Sequence, residues 1–424
     1  MTKSKKSVVW EDVPSPFCGI GADDIQIKVD GDVVTVESNG CAVNTPAFEF
    51  RLSDKKPRIG GEPATIKEAA AKIAEIIKAA HLPLIGGCAT DVNGMRALLS
   101  LADHSGAAID NMNFNGARRN ILSMQDNGWI NTTLAEVKNR VDLLLVVGTD
   151  VEPLFPRFFE RYIWNKESMF IQDTAKREVV CLGKAPSCGG VRSPDGSAPE
   201  VLVCDDADLP EVVALLRAIV NGVPVAVESV GGIPVAELRN LAERLKKASY
   251  PVVTWAAGDL DFPQAELTVE MVCELVKDLN NETRCSGLPL GGREGDQTAN
   301  QVCGWQTGYP ARVRFSSGFP EYDPHYFSAD RLLGNGEADA LLWVSAFNGK
   351  ATPPQTDVPT VVIGRSGMTF EQEPDVFVPI GTPGIDHAGH AYRMDNVVAI
   401  RLKKLRDSGL PSTADVLKAV EQAL

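Results

Sequence analysis

The chain has 424 residues, a formal net charge of −14 and 44% apolar residues, the composition of an ordinary globular protein with room for two or three domains. The acidic balance and the want of any large Lys/Arg cluster exclude nucleic-acid binding, because no stretch can neutralise a row of phosphates, and the short basic start Lys3–Lys6 reads as a solvated tail. No run approaches the roughly 20 apolar residues of a spanning helix, Met1 to Val9 lacks the apolar stretch of a secretory leader, and nine scattered cysteines suit a reducing cytoplasm better than a disulfide framework.

The first informative segment is Ser15-Pro16-Phe17-Cys18-Gly19-Ile20-Gly21-Ala22, followed by Cys41. It has the outline of an iron–sulfur binding stretch with two ligands missing. A four-iron cluster takes four thiolates. Ser15 and Ala22 stand where two of them would be, leaving Cys18 and Cys41. Alanine has no donor atom, and a serine oxygen is a hard ligand that rarely replaces a soft thiolate. The plain alternative is a hairpin flanked by two stray cysteines. Ile25 to Val29 and Val33 to Val36 alternate around Asp30-Gly31-Asp32, which is a hairpin signal. Phe48 to Leu52 is expected to add a third strand, making residues 1–56 a small β subdomain.

From Pro63 onward the pattern turns to βαβ units. Thr65 to Ala80 reads as an amphipathic helix with a Thr65/Glu68 capping box. Leu82 to Gly86 is a short buried strand, with Cys88 after it as a small core residue. Asp91 to Asp103 is helical, and Asp142 to Val147 is a strand closed by Gly148. Pro153 to Trp164 is helical, Val179 to Leu182 and Val201 to Val203 are strands, and Leu209 to Ile219 is a helix with Pro210 in its first turn. A second series follows, with strands at Pro251 to Ala256, Ala340 to Val344 and Pro359 to Ile363, and a helix at Gln264 to Leu279. Such alternation implies α/β architecture with parallel sheets covered on both faces. The expected division is a first Rossmann-like domain over 57–222 and a second over 223–424, meeting at a cleft where open α/β sheets hold ligands. The linker Asn221 to Pro234 and the span Gly287 to Pro324 are the candidate crossings. Ser412 to Leu424 reads as a terminal helix, peripheral or a partner contact.

Several segments carry a resemblance. They are Pro16-Phe17-Cys18-Gly19 with Asp23-Asp24-Ile25; Ile109-Asp110-Asn111; Ile121 to Asp126; Leu134 to Arg140; Asn300-Gln301-Val302 with Trp305-Gln306-Thr307-Gly308; and Pro383 to Asp386 with Ala391 to Asp395. In this order they resemble the B-type subunit of formylmethanofuran dehydrogenase, of the molybdopterin oxidoreductase superfamily. The B-type homologue in the bacterial formyltransferase/hydrolase complex is the nearest in character. The resemblance implies a formate-dehydrogenase-like fold and, in redox members, a Cys or selenocysteine metal ligand just after the Ile-Asp-Asn segment. Here that position falls on Gly116, and the family's following His falls on Ala117. Neither can ligate a metal or move a proton.

The resemblance also implies sites for a molybdopterin guanine dinucleotide with Mo or W. Asp173 stands where an acid would face the nucleotide. Asp150 and Glu152 would repel a pyrophosphate unless a cation intervened. Arg365 could bind phosphate or pair with a carboxylate. Arg118 and Arg119 occupy the stretch facing the substrate in the family, where they could neutralise a carboxylate, fill emptied cofactor space or sit in solvent. His387 and His390, with Asp386, could bind metal only on a helix, and the glycines around them favour a loop. The expectation is therefore a cytoplasmic, non-redox structural subunit without a cofactor. Its implied partners are an amidohydrolase-like zinc hydrolase, a formyltransferase and a β-solenoid-like C-type subunit. The complex would move a formyl group from formyl-tetrahydromethanopterin to a methanofuran-type carrier and release formate. The alternative is a working Mo- or W-pterin oxidoreductase. Leu154 to Trp164 and Pro320 to Phe327 are the candidate partner surfaces.

Overall fold

A computed structural model describes residues 7–424, so the Lys3–Lys6 tail lies outside the described residues. The chain opens with a three-stranded antiparallel sheet. The expected hairpin forms from Ile25–Asp30 and Val33–Ser38, and its third strand is Val8–Val13, on the other edge. Phe48 to Leu52 is not a strand. The Asn44–Phe48 segment is a single helical turn, and its Phe48 ring is fully buried. One face of this sheet packs through Val13, Ile25 and Ile27 onto Phe17 and Phe48. The same core continues into Ala89, Phe347, Ile385 and Leu405. The first 56 residues therefore share their core with the sheet that follows, because a three-stranded ribbon cannot bury enough apolar area by itself.

The chain divides into two compact units. The first takes residues up to Phe114 together with Gly292–Leu424, and the second is Asn115–Gly291. In the first, five parallel strands lie side by side: Ala108–Ile109, Pro83–Ala89, Ala340–Ser345, Thr360–Arg365 and Val376–Ile380. Short antiparallel strands extend both edges of this nine-stranded sheet. Most of the parallel strands are buried along their whole length, which is why they read as continuous apolar runs. The Ile66–Ala79 helix starts at the expected Thr65/Glu68 capping box. The terminal helix, Thr413–Glu421, is not peripheral. It buries Val416, Leu417 and Val420 and packs on the helices Val92–Ser105 and Ile66–Ala79.

The second unit is a five-stranded parallel sheet in the order Glu200–Val203, Glu178–Gly183, Leu143–Val147, Val252–Trp255, Ser286–Pro289. The helices Leu209–Val220, Val235–Lys247 and Ala265–Leu279 supply its core from one apolar stripe each. Pro153 to Trp164 is not one helix. A short turn at Val151–Leu154 gives way to a wide turn at Phe159–Ile163, with Pro156 between them breaking the hydrogen-bond ladder. Phe155, Phe158, Phe159, Tyr162 and Ile163 are all buried, so most of the apolar side chains of this candidate partner surface belong to the core.

The units do not follow the sequential partition at 57–222 and 223–424. The strand Pro83–Ala89 pairs with Ala340–Ser345, and Leu143–Val147 pairs with Val252–Trp255, so both sheets draw strands from either side of residue 222. The first sheet opens, the second is inserted whole, and the first then closes. Periodicity identifies strands but does not say which ones pair.

Candidate functional site

In the first unit, the four positions of the iron–sulfur outline do come together. The Ser15–Ala22 loop is sealed by Ser15 N donating to Ala22 O at 2.7 Å and by Gly21 N donating to Cys18 O at 3.1 Å. Cys18 is buried, and that burial, with Cys41 nearby, pushes its thiol up to about 11. Cys41 precedes the Asn44–Phe48 turn, and its Sγ accepts from Asn44 N at 3.3 Å. Ser15 Oγ donates to Asn44 Oδ1 at 2.6 Å and accepts from Phe17 N at 3.2 Å. Ala22 is fully buried in the apolar core. A cluster does not fit this donor set. Two positions offer thiols, one offers a hydroxyl already bonded inside the protein, and one offers a methyl group.

Asn44 was not legible as part of this site. Its sequence signal, a helix-starting residue three after Cys41, is common and carries no chemistry of its own.

In the second unit, Gly116 lies in the Phe114–Asn127 helix, with its backbone against the Ala257–Gly258 turn that follows the strand Val252–Trp255. A Cβ added there would lie 2.9 Å from Gly258 Cα and 3.1 Å from its N. Real Cβ atoms do not approach backbone so closely, so the family's thiolate position has no room for any side chain. One turn on, Arg119 reaches the same place. Its Nη1 donates to Ala257 O at 2.7 Å and its Nη2 to Asp261 Oδ1 at 2.8 Å. Asn120 Oδ1 accepts from Trp255 Nε1 at 2.8 Å. The helix is thus fastened to the C-terminal end of a central strand, where open α/β sheets ordinarily hold ligands. Arg118 joins none of these contacts. A tungsten centre ligated by the chain at position 116 does not fit this packing.

The other sequence candidates are local or structural. Asp173 is exposed and caps the short turn Thr174–Lys176 through Ala175 N. Asp150 and Glu152 turn toward the loop at 187–190. Asp150 accepts from Ser187 N at 2.9 Å and Glu152 from Gly190 N at 2.7 Å, so the amides of that loop are taken by the chain's own carboxylates.

Arg365, in the first unit, is buried and donates to Phe347 O at 3.1 Å and Ala47 O at 2.5 Å, with the Phe50 ring 4.3 Å away. These bonds go to backbone carbonyls, not to a surface carboxylate. Asp386 pairs with Arg406 at 2.7 Å, while His390 is exposed on the strand Gly389–Tyr392, so the Asp386/His387/His390 group does not converge. Among the described residues no three His, Cys, Asp or Glu side chains are placed to hold a metal ion.

No protein-family profile matches the sequence. Individual relatives do. The chain is 28% identical over 427 residues to the B-type subunit of the tungsten-containing formylmethanofuran dehydrogenase 2 of Methanocaldococcus jannaschii, covering 97% of each, and 27% identical to its counterpart in Methanococcus maripaludis with the same coverage. It is 27% identical over 328 residues to the B-type subunit of the formyltransferase/hydrolase complex Fhc of Methylorubrum extorquens, covering 77% of this chain and 85% of that protein. Among solved structures, the FhcABCD complex from that organism with methylofuran contains a chain matching at TM-score 0.73 and 26% identity, over 86% of this chain and 98% of that one. Acetylene hydratase from Pelobacter acetylenicus matches at TM-score 0.66 and 10% identity, over 98% of this chain and 69% of that one, a likeness of fold alone.

Proposed function

We propose, from a chain similar along its length to the B-type subunits of formylmethanofuran dehydrogenase and of the Fhc complex, that it is a non-redox structural subunit of a formyltransferase/hydrolase complex. The observation that carries this reading is Gly116 packed on Gly258, which leaves no space for a metal thiolate. In this reading the complex moves a formyl group from formyl-tetrahydromethanopterin to a methanofuran-type carrier and releases formate. The chemistry belongs to a zinc hydrolase and a formyltransferase, with a β-solenoid-like C-type subunit completing the assembly. This chain positions them and needs no Mo, W or pterin of its own. The complex is cytoplasmic, in keeping with nine free cysteines and with no described helix long and apolar enough to cross a membrane.

A second reading, a tungsten-pterin oxidoreductase, is favoured by the names of two relatives. Metal analysis of the complex purified from its native host separates the two. The structural reading expects no iron, molybdenum or tungsten in proportion to this chain, and formate release that does not depend on an electron acceptor. Stoichiometric tungsten or molybdenum, or a brown chromophore bleached by dithionite, overturns it.

A further inference from the structure

In the first unit the segments carrying Cys18 and Cys41 are joined by two contacts. Ser15 Oγ meets Asn44 Oδ1 at 2.6 Å, and the Phe17 ring meets Phe48 edge-on with centroids 5.0 Å apart. Ser15 is 2% exposed and Asn44 fully buried. Asn44 Nδ2 is buried without a hydrogen-bond partner among the described residues, so the hydroxyl of Ser15 is what holds the amide side chain in place. On its other side Asn44 is fixed through its backbone N–H to Cys41 Sγ. A metal cluster in this position would tie the same two segments by thiolate bonds.

We propose that the Ser15–Asn44 hydrogen bond is the internal tie that stands in place of a cluster, so that this region folds without metal; the inference rests on the non-redox reading above. The physical argument is one of coupling. Both groups are withdrawn from water: without Ser15, Asn44 Oδ1 is buried with no partner among the described residues, and without Asn44 the Ser15 hydroxyl loses its acceptor while its oxygen still accepts from Phe17 N. Two groups bonded to each other give non-additive losses. The tie also accounts for Ser15 where a surface loop would tolerate almost anything. Its hydroxyl is positioned by Phe17 N, and its own amide closes the loop on Ala22.

The test is a double-mutant cycle in the full-length chain, with Ser15→Ala, Asn44→Ala and the double variant followed by urea unfolding. Each single variant is expected to lower the midpoint, and the double variant to fall no further than the worse single one. Additive losses, or an Asn44→Ala variant with the wild-type midpoint, overturn the tie. Should an alanine variant fail to accumulate, Ser15→Thr against Ser15→Val reads the same contact, since the pair differ by the hydroxyl. Thr near wild type with Val destabilised supports the proposal, and equal midpoints overturn it. A parallel anaerobic incubation of the wild type with ferrous iron and sulfide tests the underlying reading separately. No iron uptake is expected, and stoichiometric uptake defeats the non-redox assignment whatever the cycle shows.

Discussion

Glycine inside a helix usually costs stability, and replacing it by alanine recovers about 1 kcal/mol. Gly116 should behave in the opposite sense. The new Cβ meets backbone at Gly258, which cannot rotate away as a flexible side chain could. Overpacking of this kind costs about 1–3 kcal/mol, more than the helix propensity returns. Gly116→Ala is therefore expected to lower the urea midpoint, and Gly116→Cys to lower it further without binding metal. Arg119 allows a sharper division. Its bond to the Ala257 carbonyl is a charge-assisted hydrogen bond, worth about 1.5–3 kcal/mol, whereas Asp261 is 89% exposed and its pairing is screened by solvent. Arg119→Ala should destabilise measurably, and Asp261→Asn should be close to silent in the same melt.

Asp296, at the start of the Asp296–Thr307 helix, carries a pH prediction. Burial pushes its carboxyl up to about 7, against the opposing effect of the Gln297 amide. A raised folded pKa means that the folded state holds the proton more tightly than the unfolded chain does. Stability contributed by Asp296 is thus full below about pH 4 and is lost as pH rises toward 7. Asp296→Asn, which mimics the neutral acid, should flatten the dependence of melting temperature on pH across that window.

At the scale of elements, hydrogen-bonded ends and buried stripes decide what each segment contributes. The Ile66–Ala79 helix has both partners of its capping box, so Thr65→Ala should cost about 1 kcal/mol, read as a shift in thermal midpoint. The terminal helix begins with a similar box, Ser412 with Asp415, and buries Val416, Leu417 and Val420. Truncation before Ser412 is expected to expose two neighbouring helices and yield aggregated protein, whereas removing only Ala423 and Leu424, beyond the helix, should be tolerated. Turn chemistry and the apolar period of 3.6 made Ile66–Ala79, Val92–Ser105, Leu209–Val220, Ala265–Leu279 and the terminal helix legible, but not Phe114–Asn127, Val235–Lys247 or Asp296–Thr307. They failed at Asn44–Phe48, where Phe48 alternates with polar neighbours like a strand but is held in a turn by the Cys41 and Asn44 contacts.

For the whole molecule, the insertion of one sheet inside another has a consequence for folding. The second unit, residues 115–291, owns a complete core that includes Leu145, Val180, Leu216, Leu241, Trp255 and Val276. Expressed as residues 115–291 it should give a cooperative thermal transition by circular dichroism. The sequential fragments 57–222 and 223–424 each carry strands from both sheets without their partners, and neither should fold. In the proposed assembly, co-expression with the hydrolase-type partner should raise the soluble yield of the full chain, because obligate interfaces are apolar when bare. Tyr326, which is 56% exposed, lies in the remaining candidate surface Pro320 to Phe327, and Tyr326→Glu is expected to weaken co-purification there.

The sequence by itself determined the fold class and the residue types at positions 15, 22 and 116. Local signals decide those things: alternating apolar strands and stripes give α/β architecture, and Ser15, Ala22 and Gly116 carry no thiol. Only the tertiary structure decided which strands share a sheet, since pairing is a long-range choice that periodicity leaves open. It also decided what Ser15 and Arg119 bond to. Asn44 lies 29 residues from Ser15, and Asp261 lies 142 from Arg119, so no spacing rule could join them. Ser15 and Asn44 meet because burial leaves a polar group no solvent to turn to.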